Sequence, residues 1–224
     1  MVKRIAWLGL CLLFVGQMLA QTPHVLQQVE DTAACRRWVE SLMGKMTLKQ
    51  KIGQLFIHTV APIQTAKNKA NITAAVREYG VGGLLFSGGE LERQVQLTNM
   101  AQELADIPLL ITFDGEWGLA MRLKETPQFP RNRFLGCIQH DSLLYEYGRE
   151  VARQLKLIGV HVNFAPVADI DNNPDNPVIN TRSFGSVPEN SLFAFFIGLL
   201  IAWATLLTGR RGSAGSLQTF SRTR

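Results

Sequence analysis

The chain has 224 residues, of which 46% are hydrophobic and 18% charged, and a formal net charge of +5. That length suits one large domain or two small ones. The positive charge lies at the ends, in Lys3 and Arg4 and in Arg210, Arg211, Arg222 and Arg224; without these six, residues 21–190 carry −1. A near-neutral body with no basic stripe interleaved with aromatics excludes a nucleic-acid surface.

Residues 1–20 read as a secretory signal peptide. Lys3 and Arg4 form its basic start, Ile5 to Leu19 its apolar core, and Ala20 the small residue before a cut at Gln21. The core is short for a membrane span. This leader predicts a secreted or periplasmic protein. Cys35 and Cys137 then remain in the mature chain. An oxidising compartment permits them to pair, but two cysteines do not make a disulfide scaffold. No Cys/His spacing resembles a metal site, and nothing calls for a cofactor.

Residues 21–45 are polar and read as a linker, with a helix near Cys35 to Leu42. Thr47-Leu48-Lys49-Gln50 reads as a capping box, opening a short helix through Leu55. Phe56 to Val60 is a candidate strand. Asn71 to Tyr79 reads as a helix stopped by Gly80. Val81 to Phe86 reads as a buried strand followed by a Gly88-Gly89 turn. Glu90 to Ala105 is an amphipathic helix and Ile107 to Phe113 the next strand. Ser142 to Ile158 is a helix, with Asp141 or Ser142 as N-cap and Gly159 at its end. Val160 to Asp169 is the strand after it. Short apolar strands alternating with helices predict parallel βαβ units.

The most informative stretch is Ile111 to Arg122. An apolar strand delivers Asp114 to a Gly-rich turn, and Arg122 follows eight residues later. A carboxylate at the C-terminal end of a barrel strand sits where substrate-binding groups are found. A carboxylate and a guanidinium together suit a hydroxyl-rich ligand such as a sugar. The same two residues also fit an ordinary loop ion pair. Asp169 follows an apolar stretch in the same way, although Asp169-Ile170-Asp171-Asn172-Asn173-Pro174 also reads as a plain polar loop. His161, inside an apolar run, reads as a packed, hydrogen-bonded histidine. His58 and His140 carry no signal.

These residues fall into five ordered blocks. Met46-Thr47-Leu48-Lys49-Gln50-Lys51-Ile52-Gly53-Gln54-Leu55 resembles the opening helix of family 3 glycoside hydrolases. Val81-Gly82-Gly83-Leu84-Leu85-Phe86 resembles their Gly-Gly strand. Phe113-Asp114-Gly115-Glu116-Trp117-Gly118 resembles the Asp-x-Glu-x-Gly segment of the β-N-acetylglucosaminidase branch. Asn163 to Asp169 and Asn176 to Gly185 complete the series. Trp117 stands where that segment usually has Gly. β-Glucosidases of the family usually carry Asp-x-x-His-Gly instead.

The resemblance implies an α/β fold: roughly the first half of a TIM-type (β/α)8 barrel, over residues 46–190. It implies that Asp114, Arg122 and Arg182 bind substrate in one pocket. It implies retaining hydrolysis of terminal β-linked N-acetylglucosamine through a covalent glycosyl-enzyme, acting on a small carbohydrate or glycan. The family's nucleophile is an Asp on a late strand. Its acid/base is a His on a mobile loop, and a Lys-His pair in a K-H-F-P-G-H-G motif holds the substrate. None of these late elements is matched here, so no catalytic residue is assigned, and the chain alone, with an unclosed sheet edge, is expected to be unstable and inactive. The alternatives are a β-glucosidase of the same family and a membrane-anchored, non-catalytic sugar-binding fragment.

Residues 191–224 depart from the family pattern. Leu192 to Thr208 is almost wholly apolar and is followed by Arg210 and Arg211. One reading is a membrane anchor close to the lower length limit for a span. The favoured reading is a shifted reading frame. Leu217 to Arg224 can be encoded as CTG CAA ACA TTT TCC CGG ACA CGG, which read one nucleotide later gives C-K-H-F-P-G-H. That is the missing family motif, in order.

Overall fold

A computed structural model describes residues 32–138, 141–173 and 175–188. The expected leader over 1–20, the tail over 191–224 with its apolar run 192–208, and His140 lie outside the described residues. The chain divides into two compact units, Met1–Met46 and Thr47–Arg224.

In the first unit, helix α1 (Thr32–Lys45) extends the expected Cys35–Leu42 helix in both directions and buries none of its residues. Cys35 is exposed and free.

The second unit opens with α2 (Leu48–Gly53). The expected capping box is present: the Gln50 amide N–H donates to Thr47 Oγ1 at 3.2 Å, and the Thr47 N–H donates to Gln50 Oε1 at 2.9 Å. Four strands follow: β1 (Ile57–Val60), β2 (Gly83–Phe86), β4 (Leu110–Phe113) and β6 (Val162–Asn163). They pair in the order β1-β2-β4-β6, parallel throughout. Their crossovers carry α3 (Ala66–Arg77), α4 (Leu91–Leu104) and, together in the last, α5 (Asn132–Leu135) and α6 (Asp141–Leu157). Parallel neighbours need such long crossovers, which is what the strand–helix alternation predicts.

Register decides which face is buried. His58, Leu84 and Ile111 share one face, followed by Val60 with Phe86. On that face Leu84, Ile111 and Phe86 are buried against the helices. α6 answers with Leu144, Val151, Ala152 and Leu155, spaced for one helical stripe. The opposite face carries Ile57 and Leu110, 43% and 51% exposed. Thr112 and Gly83 on that same face are buried, so it is open only in part. Parallel sheets are usually covered on both faces.

Several boundaries differ from expectation, each for a local reason. α3 starts at Ala66 and not at Asn71, because the Thr65 side chain caps it by accepting from the Asn68 N–H. The added turn, Lys67 to Lys69, is polar and carries no hydrophobic period. β4 starts at Leu110, since Pro108 has no N–H and the Leu109 N–H donates to Gln102 Oε1 at 3.0 Å. The expected strand Val160–Asp169 pairs only at Val162 and Asn163, because its partner ends with Phe113 opposite Asn163. Gly88-Gly89 is not a free turn. Gly89–Glu90 forms β3, a short parallel bridge to β5 (Leu123–Lys124). Gly80 and Gly159 hold positive φ, 63° and 75°, just beyond α3 and α6. These are the left-handed stops expected of them.

Candidate active site

The candidate site grows from the C-terminal end of β4. Asp114 is the first residue after that strand, and the turn 114–118 is held by groups from two other elements. Asn163, on neighbouring β6, clamps Gly115 from both sides. Its Oδ1 accepts from the Gly115 N–H at 2.9 Å, and its Nδ2 donates to the Gly115 carbonyl at 3.2 Å. Tyr147 on α6 donates its hydroxyl to the Glu116 carbonyl at 3.1 Å. Burial, then the Glu116 carboxylate, pushes the Tyr147 phenol well above its ordinary range, so it stays a donor.

A 3-10 turn (Leu119–Met121) brings Arg122 back onto Asp114. Arg122 Nη2 pairs with Asp114 Oδ2, and Arg122 Nε donates to the Asp114 carbonyl at 3.2 Å. Both side chains remain about one-third exposed, at 35% and 31%.

Arg182 arrives from far along the chain. It ends the 3-10 turn Asn180–Arg182, where Asn180 takes a positive φ of 34°. Its guanidinium meets Glu116 along one edge: Nε to Oε1 at 2.9 Å, Nε to Oε2 at 3.1 Å and Nη2 to Oε1 at 2.6 Å. The Glu116 side chain is 1% exposed and that of Arg182 is 35% exposed. Hydrogen bonding to Glu116 raises the Arg182 pKa most, desolvation opposes it, and the charges of Glu116, Asp114 and Asp169 raise it further.

The loop bearing Arg182 is pinned at several points. Asn132 Nδ2 donates to the Arg182 carbonyl at 2.7 Å. Arg131 Nη1 donates to Thr181 Oγ1 at 2.9 Å, and its guanidinium lies 4.9 Å from the centroid of the Trp117 ring. Ser183 Oγ donates to the Asp169 carbonyl at 2.8 Å, and Arg133 pairs with Asp171. Gly136 lies against this loop so closely that a Cβ there would sit 1.8 Å from the Phe184 carbonyl oxygen.

The structure thus brings Asp114, Arg122 and Arg182 to one turn, with Asp169 beside them. The Asp114–Arg122 pair is a real ion pair, as one reading of the sequence expected. His161 accepts the Ile111 N–H at Nδ1, 3.0 Å away, and its surroundings hold its pKa below the ordinary value by desolvation. It is hydrogen-bonded, as expected, but it lies at the surface and is not packed in the core. Glu116, Asn163, Asn132 and Tyr147 were not singled out from sequence as site residues. Asn163 had a signal, as a polar residue between Val162 and Phe164. Glu116 had one too, as the second acid of Asp-x-Glu. Cys137 is exposed and free. Among the described residues no group of three or more His, Cys, Asp or Glu side chains is placed to hold a metal ion. Nor, among them, is any helix long and apolar enough to cross a membrane.

Residues 47–194 match the glycosyl hydrolase family 3 N terminal domain. The chain belongs to glycosyl hydrolase family 3. Its sequence is 31% identical over 130 residues to β-hexosaminidase A of Pseudoalteromonas piscicida, covering 52% of this chain and 22% of that one. It is 30% identical over 145 residues to β-hexosaminidase LpqI of Mycobacterium tuberculosis, covering 62% of this chain and 36% of that one. A solved family 3 β-N-acetylglucosaminidase from Paenibacillus sp. str. FPU-7 superposes with a TM-score of 0.61 at 29% identity, over 71% of this chain and 31% of that one. This family 3 chain spans well under half the length of each of these relatives.

Proposed function

We propose that this family 3 chain supplies the sugar-binding first half of a TIM-type barrel. Its pocket of Asp114, Arg122 and Arg182 would take a terminal β-linked N-acetylglucosamine from a small carbohydrate or glycan. The observation that carries the reading is the convergence of two arginines, 60 residues apart in the chain, on the turn that opens at Asp114. A carboxylate there accepts from sugar hydroxyls, and planar guanidinium donors fix their orientation. The parallel β1-β2-β4-β6 sheet with its helical crossovers supports the barrel reading.

The reaction of the whole enzyme would be retaining hydrolysis through a covalent glycosyl-enzyme. Its nucleophile and acid/base belong to late family motifs that these 224 residues do not match. We therefore assign binding, and not turnover, to this chain. The shifted-frame account of residues 191–224 and an exported location complete the proposal. Nucleotide sequence across codons 185–224 and beyond tests the frame: continuation of the barrel in another phase is expected, and no continuation in any phase refutes it. If the run 192–208 is instead an anchor, the protein stays with membranes through an alkaline wash.

Chromogenic substrates test the activity. The 224-residue chain should leave a β-N-acetylglucosaminide intact, and a frame-restored version should cleave it faster than the β-glucoside. Turnover by the 224-residue chain refutes the division of labour. Preference for the glucoside by the restored enzyme refutes the substrate and favours the β-glucosidase reading.

A further inference from the structure

We infer that Glu116 decides which sugars this pocket accepts: by neutralising Arg182 it makes that guanidinium a hydrogen-bond donor to uncharged sugars and not a trap for anions. The inference rests on the sugar-binding reading of the site. Its basis is the asymmetry of the pair. The Glu116 side chain is 1% exposed and spends both oxygens on one edge of Arg182. Among the described residues the other edge, at Nη1, meets only the Val178 carbonyl, at 3.4 Å. With one N–H on that carbonyl, Nη1 has a second to offer a ligand.

Both arginines of the pocket are matched by a carboxylate in contact: Arg182 by Glu116 and Arg122 by Asp114. The neighbouring Arg131 is engaged with Thr181 and the Trp117 ring. An anionic sugar or a phosphate finds neither Arg122 nor Arg182 unpaired, whereas a hydroxyl or an acetamido carbonyl needs only a donor. Glu116 makes this arrangement without touching the ligand. It is a positioning and specificity-setting residue, reaching Arg182 across 66 positions of sequence.

Glu116→Gln tests this. The amide keeps the size and one acceptor but removes the charge that cancels Arg182. The probes are N-acetylglucosamine and inorganic phosphate, titrated into the full chain labelled with 15N-arginine. The readout is the Arg182 Nε–H signal, assigned by its loss in Arg182→Lys. In the wild-type chain that proton should be slow to exchange, unmoved by phosphate and shifted by N-acetylglucosamine. In Glu116→Gln it should exchange faster and shift saturably with phosphate, while affinity for N-acetylglucosamine falls about tenfold.

Phosphate binding alike to both chains, or to neither, overturns the inference. If phosphate behaves as expected but the sugar shifts nothing in the wild-type chain, the sugar-binding reading is at fault and the sugar preference falls with it. Should Glu116→Gln fail to fold, the wild-type chain alone decides, and a phosphate-induced shift there overturns the inference.

Discussion

Replacing Asn163 with Ala should loosen the turn that carries Asp114 and cost the fold a measurable fraction of its stability. Gly115 is buried; the Asn163 amide accepts from its N–H and is one of two donors to its carbonyl, which the Gly118 N–H also reaches at 3.2 Å. Removing that amide leaves the buried N–H unpaired and costs the carbonyl one of its two bonds, so the expected loss is roughly 1–3 kcal/mol. With a urea dependence of about 1–3 kcal/mol per molar, the midpoint of urea unfolding should fall by about 0.5–1.5 M. Asn163→Asp separates the two bonds. It keeps the acceptor for the Gly115 N–H but sets a carboxylate against the Gly115 carbonyl, so it should not rescue the loss. Unfolding followed by tryptophan fluorescence and by circular dichroism measures both variants. A fall below about 0.5 kcal/mol for Asn163→Ala, within the range of neutral surface changes, refutes the clamp.

Other predictions follow from single contacts. Gly136→Ala places a Cβ 1.8 Å from the Phe184 carbonyl, so one backbone segment must move; a loss of about 1–3 kcal/mol is expected in thermal melts. Gln94 is fully buried with neither amide atom partnered among the described residues, so Gln94→Leu should raise stability by about 1 kcal/mol, read from the same melts. His161 keeps a depressed pKa in the folded chain, because desolvation disfavours its charged form. The unfolded chain takes up that proton first, so stability is full above about pH 6.5 and falls on acidification until the folded residue titrates too. His161→Gln should flatten that slope below about pH 6.5, and an unchanged slope in urea titrations contradicts the assignment.

Much of the frame was legible because its signals are local. The Thr47 box, the stops at Gly80 and Gly159 and the stripe Leu144, Val151, Leu155 all lie within a few residues of what they control. The start of α3 was missed because Thr65 caps a polar turn with no apolar period. The β3–β5 bridge was missed because two-residue pairing between distant segments has no periodicity to read. The site divides in the same way. Asp114 with Arg122 is a contact across eight residues and could be named from the strand–turn pattern. Arg182 came from family resemblance alone, and its partner Glu116 was not assigned to it. Only the folded chain brings 116 and 182 together, with Asn132, Ser183 and Tyr147 fixing the approach.

The central claim is that Asp114, Arg122 and Arg182 form one sugar-binding pocket. Calorimetric titration of the 224-residue chain with N-acetylglucosamine, beside Asp114→Ala, tests it most directly. Saturable one-site binding by the wild-type chain, weakened about tenfold or more in the variant, is the expected result. Equal binding by both chains, or none by either while both remain folded, contradicts it.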